Sequence, residues 1–151
     1  GLPLALTVVN PAIDCFTPGE YNGTFRGNQL SFIAAKAGLE YMLENKVEKQ
    51  VQEKAPIVKE FIEKEILPLD SRLKLRGIGL IWGIDCSEFP DKNFSDKVTR
   101  KAFDHKLIIE LAGRDNSVVK LMPPLVIDKE TLIEGLKALK AAFEDCLKEL
   151  N

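Results

Sequence analysis

Residues 73–86, LKLRGIGLIWGIDC, set Gly77, Gly79 and Gly83 among β-forming side chains. That stretch restricts the fold more than any other. A glycine-rich dinucleotide loop leaves a strand and enters a helix. Here β-formers continue to Cys86, so the stretch reads as one or two strands with a bend relaxed by glycine. Strands need partners. Leu107 to Leu111 and Val118 to Met122, around the Gly113-Arg114-Asp115-Asn116 turn, read as a hairpin. Pro123-Pro124 ends that pairing.

The remaining periodic stretches are helical. Leu30, Ile33, Ala34, Ala37, Tyr41 and Met42 recur at helical spacing from Asn28 to about Leu43. Val47, Val51, Ala55, Val58, Ile62 and Ile66 form one stripe of a helix over Val47 to Leu67. Pro56 lies inside it and predicts a kink or break near Lys54. A short helix is expected over Ser95 to His105, capped by Ser95 or Asp96. A last helix opens at Asp128 or Thr131 and carries Leu132, Leu136, Leu139, Ala142, Phe143 and Leu147 on one side. Leu4 to Val9 is short, apolar and β-capable. From residue 45 the order helix–strands–helix–hairpin–helix predicts an α+β layer, an antiparallel sheet with helices on one face.

Composition narrows the function classes. The 151 residues are 45% hydrophobic and 29% charged, as in a soluble globular chain. The net charge is −2, from 21 basic and 23 acidic residues well mixed along the chain. No Lys/Arg block tracks a nucleic-acid backbone, and no apolar run approaches the ~20 residues of a bilayer span. Cys15, Cys86 and Cys146 are odd in number and far apart, without Cys-x-x-Cys or Cys/His spacing. That pattern speaks against a disulfide framework and against zinc, and suits a reducing cytosol. The chain opens on Gly1 and an apolar stretch without a basic leader, which reads as a cut through a longer protein rather than a signal peptide.

Two stretches carry candidate chemistry. Gly23-Thr24-Phe25-Arg26-Gly27-Asn28 offers glycine-freed N–H groups, a hydroxyl, a guanidinium and a helix start. Those parts suit a phosphate or carboxylate, and they equally suit a plain turn followed by an Asn28 N-cap. Asn22-Gly23-Thr24 and Asn93-Phe94-Ser95 match the glycosylation pattern, which matters only in a secreted protein. Lys120, at the end of an apolar strand before Pro123-Pro124, could meet a substrate carboxylate or snorkel to water from an edge strand. His105, the single histidine, reads as a solvated residue near a helix C-terminus.

Taken together, these stretches resemble the C-terminal part of class III (ornithine-aminotransferase-like) pyridoxal-phosphate aminotransferases. Four segments carry the match in order. They are Gly1-Leu2-Pro3-Leu4-Ala5, the Gly-Thr-Phe-x-Gly-Asn loop at 23–28, Arg-Gly-x-Gly-Leu at 76–80, and Lys-Leu-Met-Pro-Pro-Leu at 120–125. The resemblance implies the small α+β domain of a fold-type I transferase over residues 46–151. Residues 1–45 would then be the distal edge of the large cofactor-binding domain. It also implies that Thr24, with the backbone of Gly23 and Phe25, binds the phosphate of pyridoxal 5′-phosphate across a dimer interface. Lys120 stands where relatives usually carry the arginine that holds the α-carboxylate, and a lysine cannot form the bidentate fork. Arg26 stands where many relatives have a second glycine. Both departures look like the diaminobutyrate–2-oxoglutarate branch, which serves ectoine synthesis.

Further expectations follow from that resemblance. The Schiff-base lysine lies upstream of Gly1, so no catalytic residue falls in this chain and the chain alone is inactive. The parent would be a cytoplasmic homodimer or higher homo-oligomer, exchanging an amino group between amino acids and 2-oxo acids. No nucleic-acid or membrane partner is implied. The alternative is a stand-alone, non-catalytic α+β binding module that keeps the anion loop.

Overall fold

The computed structural model describes residues 2–150. They fall into two compact units, within Gly1–Lys46 and Val47–Asn151. In the first, residues 2–10 follow no regular secondary structure. The strand expected over Leu4 to Val9 is not formed. An isolated extended segment has no ladder to hold it, and no described strand pairs with this one. Asn10 instead caps one 3-10 turn, Pro11–Ile13, its side chain accepting from Ala12 N–H at 2.9 Å. Helix α1, Gln29–Glu44, starts where its apolar spacing begins. Lys46, at φ 50, follows its end.

The second unit is a four-stranded antiparallel sheet with helices on one face. Its strands are β1 (Lys74–Ile78), β2 (Ile81–Asp85), β3 (Glu110–Ala112) and β4 (Val118–Leu121), in the order β1-β2-β4-β3. The register sets Leu75, Ile84, Val119 and Leu111 in one cross-strand row, with Trp82 opposite Leu121 on the same face. Ile84, Val119, Trp82 and Leu121 are buried in the core with Val58, Ile62, Val98, Leu136, Leu139 and Phe143 of the helical segments. The other face presents the row Arg76, Gly83, Lys120 and Glu110.

Local chemistry explains the elements. Gly77 sits opposite Trp82, and a Cβ there would lie 2.6 Å from the indole ring. The missing side chain thus makes room for Trp82, whose Nε1–H donates to the Gly79 carbonyl at 2.8 Å. Gly79, at φ +58, turns the chain between the strands, a conformation glycine adopts without steric cost.

Helix α2, Val47–Phe61, continues through Pro56 and then widens into a π-helical turn, Ile62–Ile66. The break expected near Lys54 is therefore absent. Proline costs a helix about 3 kcal/mol, and burial of Val58, Ile62 and Ile66 on the same stripe offsets it. Pro56 itself faces outward.

Helix α3, Phe94–Asp104, starts one residue earlier than expected. Ser95 does not cap it; its hydroxyl donates to the Asn116 carbonyl at 2.7 Å. Asp128 caps helix α4, Lys129–Lys148, accepting from Thr131 N–H and Thr131 hydroxyl, each at 2.8 Å.

Two side chains tie these layers together. Arg72 forks onto Asp70 at 2.8 and 2.6 Å and lies 4.1 Å over Phe89. Phe89 in turn stacks on Phe94 at 3.8 Å. Lys54 is a buried cation on α2, and its ammonium donates to the Leu125 carbonyl at 2.8 Å and to Gln50 at 3.3 Å. It pins the segment after β4 to α2.

Three outcomes follow. Gly77→Ala pushes a methyl into Trp82 and should cost about 1–3 kcal/mol, read as a lower urea midpoint with unchanged slope. The Arg72 hydrogen bonds hold the Asp70 carboxyl below its usual value of 3.8, against the opposing effect of burial. A depressed carboxylate stabilises the fold above its free value and loses that contribution as acid protonates the folded state. Arg72→Met should therefore lower stability more at about pH 7 than at about pH 3, measured by paired urea melts. Lys54→Met should speed amide exchange of Ile127, whose N–H donates to the Pro124 carbonyl, by about tenfold as the segment loosens.

Candidate functional site

The loop at 23–28 belongs to the first unit. The Arg26 N–H donates to the Gly23 carbonyl at 3.1 Å, closing a turn with Thr24 and Phe25 at its tip. Phe25 is 95% exposed. Asn28 Oδ1 accepts from the Leu30 and Ser31 N–H groups at 3.1 and 3.3 Å. Two of the first-turn donors that could serve an anion are thus already occupied. Arg26 is also occupied: its guanidinium donates to the Tyr21 carbonyl and lies 4.5 Å over the Tyr21 ring.

What the loop leaves open is narrower than the sequence suggests. Among the described residues no hydrogen bond engages the Thr24 hydroxyl or the Thr24 and Phe25 N–H groups. Donors of this kind on one exposed turn are chemically suited to the oxygens of a phosphate. The open donors at the tip of this turn are those of Thr24 and Phe25, whereas Leu30 and Ser31 at the helix start are capped.

Lys120 belongs to the second unit. The β4 alternation turns Val119 and Leu121 into the core and Lys120 onto the opposite face. There its ammonium lies 2.6 Å from Glu110 Oε2 on the adjacent strand, with side-chain exposures of 28% and 69%. The Lys120 ammonium beside Glu110 holds that carboxyl below the usual carboxylate range. The pair stands at one side of a groove of about 430 Å³ formed by residues 107–110, 120–124 and Ile127. Leu107, Ile109, Met122 and Pro123 make its walls apolar.

Sequence reading placed Lys120 at the end of a strand, and the structure puts it at the rim of this groove. It passed over Glu110, although a signal existed. A hairpin turning about Asp115 pairs residue 110 with residue 120, the observed register. It also passed over Lys54, a lysine on the apolar stripe between Val51 and Val58.

Other groups are quiet. Cys86 and Cys146 are buried and unpaired, and burial pushes their thiols up to about 12 and about 11. Neither supplies a thiolate at neutral pH. His105 Nε2 lies 2.9 Å from Asp145 and joins the end of α3 to α4. Among the described residues no group of His, Cys, Asp or Glu is arranged to hold a metal, and no helix is long and apolar enough to cross a membrane.

Residues 1–143 match the family Aminotransferase class-III. The chain is 41% identical over 150 residues to the diaminobutyrate–2-oxoglutarate transaminase of Wolinella succinogenes, covering 99% of this chain and 34% of that protein. It is 40% identical to the protein of the same name from Marinococcus halophilus, covering 100% and 35%. The chain thus spans about one third of the length of these relatives.

Among solved structures, the acetylornithine aminotransferase of Elizabethkingia anophelis superposes with a TM-score of 0.74 at 25% identity, over 86% of this chain and 33% of that one. The omega-transferase of Vibrio fluvialis JS17 shares the fold at a TM-score of 0.68 and 18% identity, over 77% and 28%. Motif order, sheet architecture and sequence similarity agree: this chain belongs to the class III aminotransferase family.

Proposed function

We propose that the chain is the C-terminal part of a pyridoxal 5′-phosphate-dependent transaminase. Its reaction moves an amino group between an ω-amino donor or glutamate and an oxo acid, with L-2,4-diaminobutyrate and 2-oxoglutarate as the favoured pair. The observation that carries this reading is Lys120, a cation held at the rim of an apolar groove by the strand before Pro123-Pro124. Similarity to relatives named for that substrate pair supports the choice.

Residues 46–151 then form the small domain and residues 1–45 the distal edge of the large one. Helix α1 is consistent with that edge. Leu30, Ile33, Leu39 and Leu43 are all exposed on it, and a helix apolar around much of its girth is built to be packed on several sides. A cytoplasmic homodimer or higher homo-oligomer completes the reading, with Thr24 serving a neighbouring subunit.

Each residue has a definite task. The Thr24 hydroxyl and the Thr24 and Phe25 N–H groups donate to the cofactor phosphate, and Gly23 keeps the turn open beside them. Lys120 attracts the substrate carboxylate as a point charge. Pro123 and Ile109, both half-buried, limit water beside it and strengthen that attraction. Pyridoxal phosphate, when bound, supplies the electron sink for amino transfer. The Schiff-base lysine belongs, on this reading, to sequence before Gly1.

In the longer protein, Thr24→Ala should weaken cofactor retention during dialysis, read as loss of visible absorbance. Lys120→Met should raise KM for 2-oxoglutarate at least about tenfold with a smaller change in kcat, since it removes a contact made in ground and transition state alike. Residues 1–151 alone should show no turnover. Borohydride labelling of one specific lysine by pyridoxal phosphate in that chain would overturn the assignment of the Schiff base upstream.

A further inference from the structure

An asparagine ages when the backbone nitrogen of the next residue attacks its side-chain amide. The reaction needs a free N–H, a side chain free to turn, and little bulk on the following residue. Those needs sort the asparagines of this chain. Asn10 precedes Pro11, which has no N–H. The nitrogens after Asn45, Asn93 and Asn116 are already donors: Lys46 to the Leu43 carbonyl at 3.3 Å, Phe94 to the Asp91 carbonyl at 3.1 Å and Ser117 to the Arg114 carbonyl at 3.2 Å. The Asn28 side chain is held by its cap on Leu30 and Ser31.

Asn22 meets all the needs. It precedes Gly23, where no Cβ hinders the approach. Among the described residues no hydrogen bond engages the Asn22 side chain or the Gly23 N–H, and both residues are exposed. The flanks, by contrast, are fixed. Arg26 donates through its guanidinium to the Tyr21 carbonyl and through its backbone N–H to the Gly23 carbonyl. The reacting pair lies unbonded between two anchored carbonyls.

We infer that Asn22 is a site of spontaneous deamidation, and that its product turns the adjoining loop from attracting anions to repelling them. The Gly23 nitrogen gives its proton to hydroxide and bonds to Asn22 Cγ. The Cγ–Nδ2 bond breaks, and the side-chain nitrogen leaves as ammonia with a proton from solvent. Water then opens the cyclic imide. Attack at Cγ leaves aspartate, and attack at the main-chain carbonyl leaves isoaspartate with an extra methylene in the backbone. Nothing is oxidised or reduced, and water is the co-reactant.

Either product sets a carboxylate beside Gly23 and Thr24. The consequence rests on the reading of Thr24 and Phe25 as phosphate donors: a like charge there opposes a phosphate, and the isoaspartate methylene displaces the tip. A bound phosphate in turn ties the tip down and slows ring closure. Loss of cofactor and loss of the amide therefore reinforce each other.

The test uses the longer protein, native with and without pyridoxal phosphate and also unfolded in urea. Each sample is aged at mildly alkaline pH and mapped with trypsin by mass spectrometry. The peptide ending at Arg26 reports Asn22, and those carrying Asn28, Asn45, Asn93 and Asn116 are internal references. In the native protein without cofactor, Asn22 should convert at close to its rate in urea while the references stay amides. Bound cofactor should slow it at least about tenfold. Asn22→Ser should abolish the change, and Asn22→Asp should weaken cofactor retention about tenfold from the start.

An Asn22 amide that survives in the native cofactor-free protein and converts only in urea would overturn the site. Conversion that leaves cofactor retention unaltered, in the aged protein and in Asn22→Asp alike, would keep the modification and overturn its link to the phosphate. Thr24→Ala then decides separately whether the phosphate reading fails as well.

Discussion

The pairing of β4 between β2 and β3 governs the second unit. Along β4 the side chains alternate, so Val119 and Leu121 enter the core while Val118 and Lys120 turn to the other face. A slip of one residue would drive Lys120 among Ile84, Leu136 and Phe143 and bring Val119 into water. Burying an unpaired ammonium costs several kcal/mol, so the register is held by what it would cost to lose it. The same register sets Lys120 opposite Glu110 and beside Gly83. Site and core are thus two faces of a single hydrogen-bonded arrangement.

Contacts remote from the groove support it. Trp82 fills the space left by Gly77 and closes the β1–β2 turn through Gly79, which steadies the strand that β4 pairs with. Beyond β4, the prolines cannot extend the ladder, and Lys54 reaches from α2 to hold the Leu125 carbonyl. A buried cation whose hydrogen-bond partners are a carbonyl and an amide oxygen contributes little to net stability. Its effect is positional: the apolar wall made by Met122 and Pro123 is kept in place next to Lys120. The loop at 23–28 is held differently, by the Asn28 cap and by Arg26 on Tyr21, which leaves the tip at Thr24 free to donate.

Much of this architecture was legible in local patterns. The stripe Val47–Val58–Ile62–Ile66, the hairpin turn at 113–116 and the Asp128 cap all depend on residues within a few positions of one another. They came through intact. The strand expected over Leu107 to Leu111 forms only at Glu110–Ala112, and three further details differ, each for a physical reason. Leu4 to Val9 has β-forming side chains, but a strand exists only with a neighbour. Pro56 weakens a helix locally, yet the burial of residues a turn away outweighs it. Ser95 suits a cap by type, but its hydroxyl is claimed by Asn116, distant in the chain.

The candidate site divides along the same line. The sequence by itself determined the residue types: a threonine on a glycine-flanked turn, a lysine before two prolines, and motif order sufficient to indicate the family. Such information is carried by chemical identity and short spacing. Only the tertiary structure decided which of those groups are free to act. Arg26 and the Leu30 and Ser31 donors of α1 are satisfied within their own loop, whereas Thr24 is not. Lys120 meets Glu110 across a strand boundary, at the edge of an apolar groove built by the two arms of one hairpin and the segment that follows it. Whether a charge is spent internally or left for a ligand depends on long-range pairing and burial, and those exist only once the chain has folded.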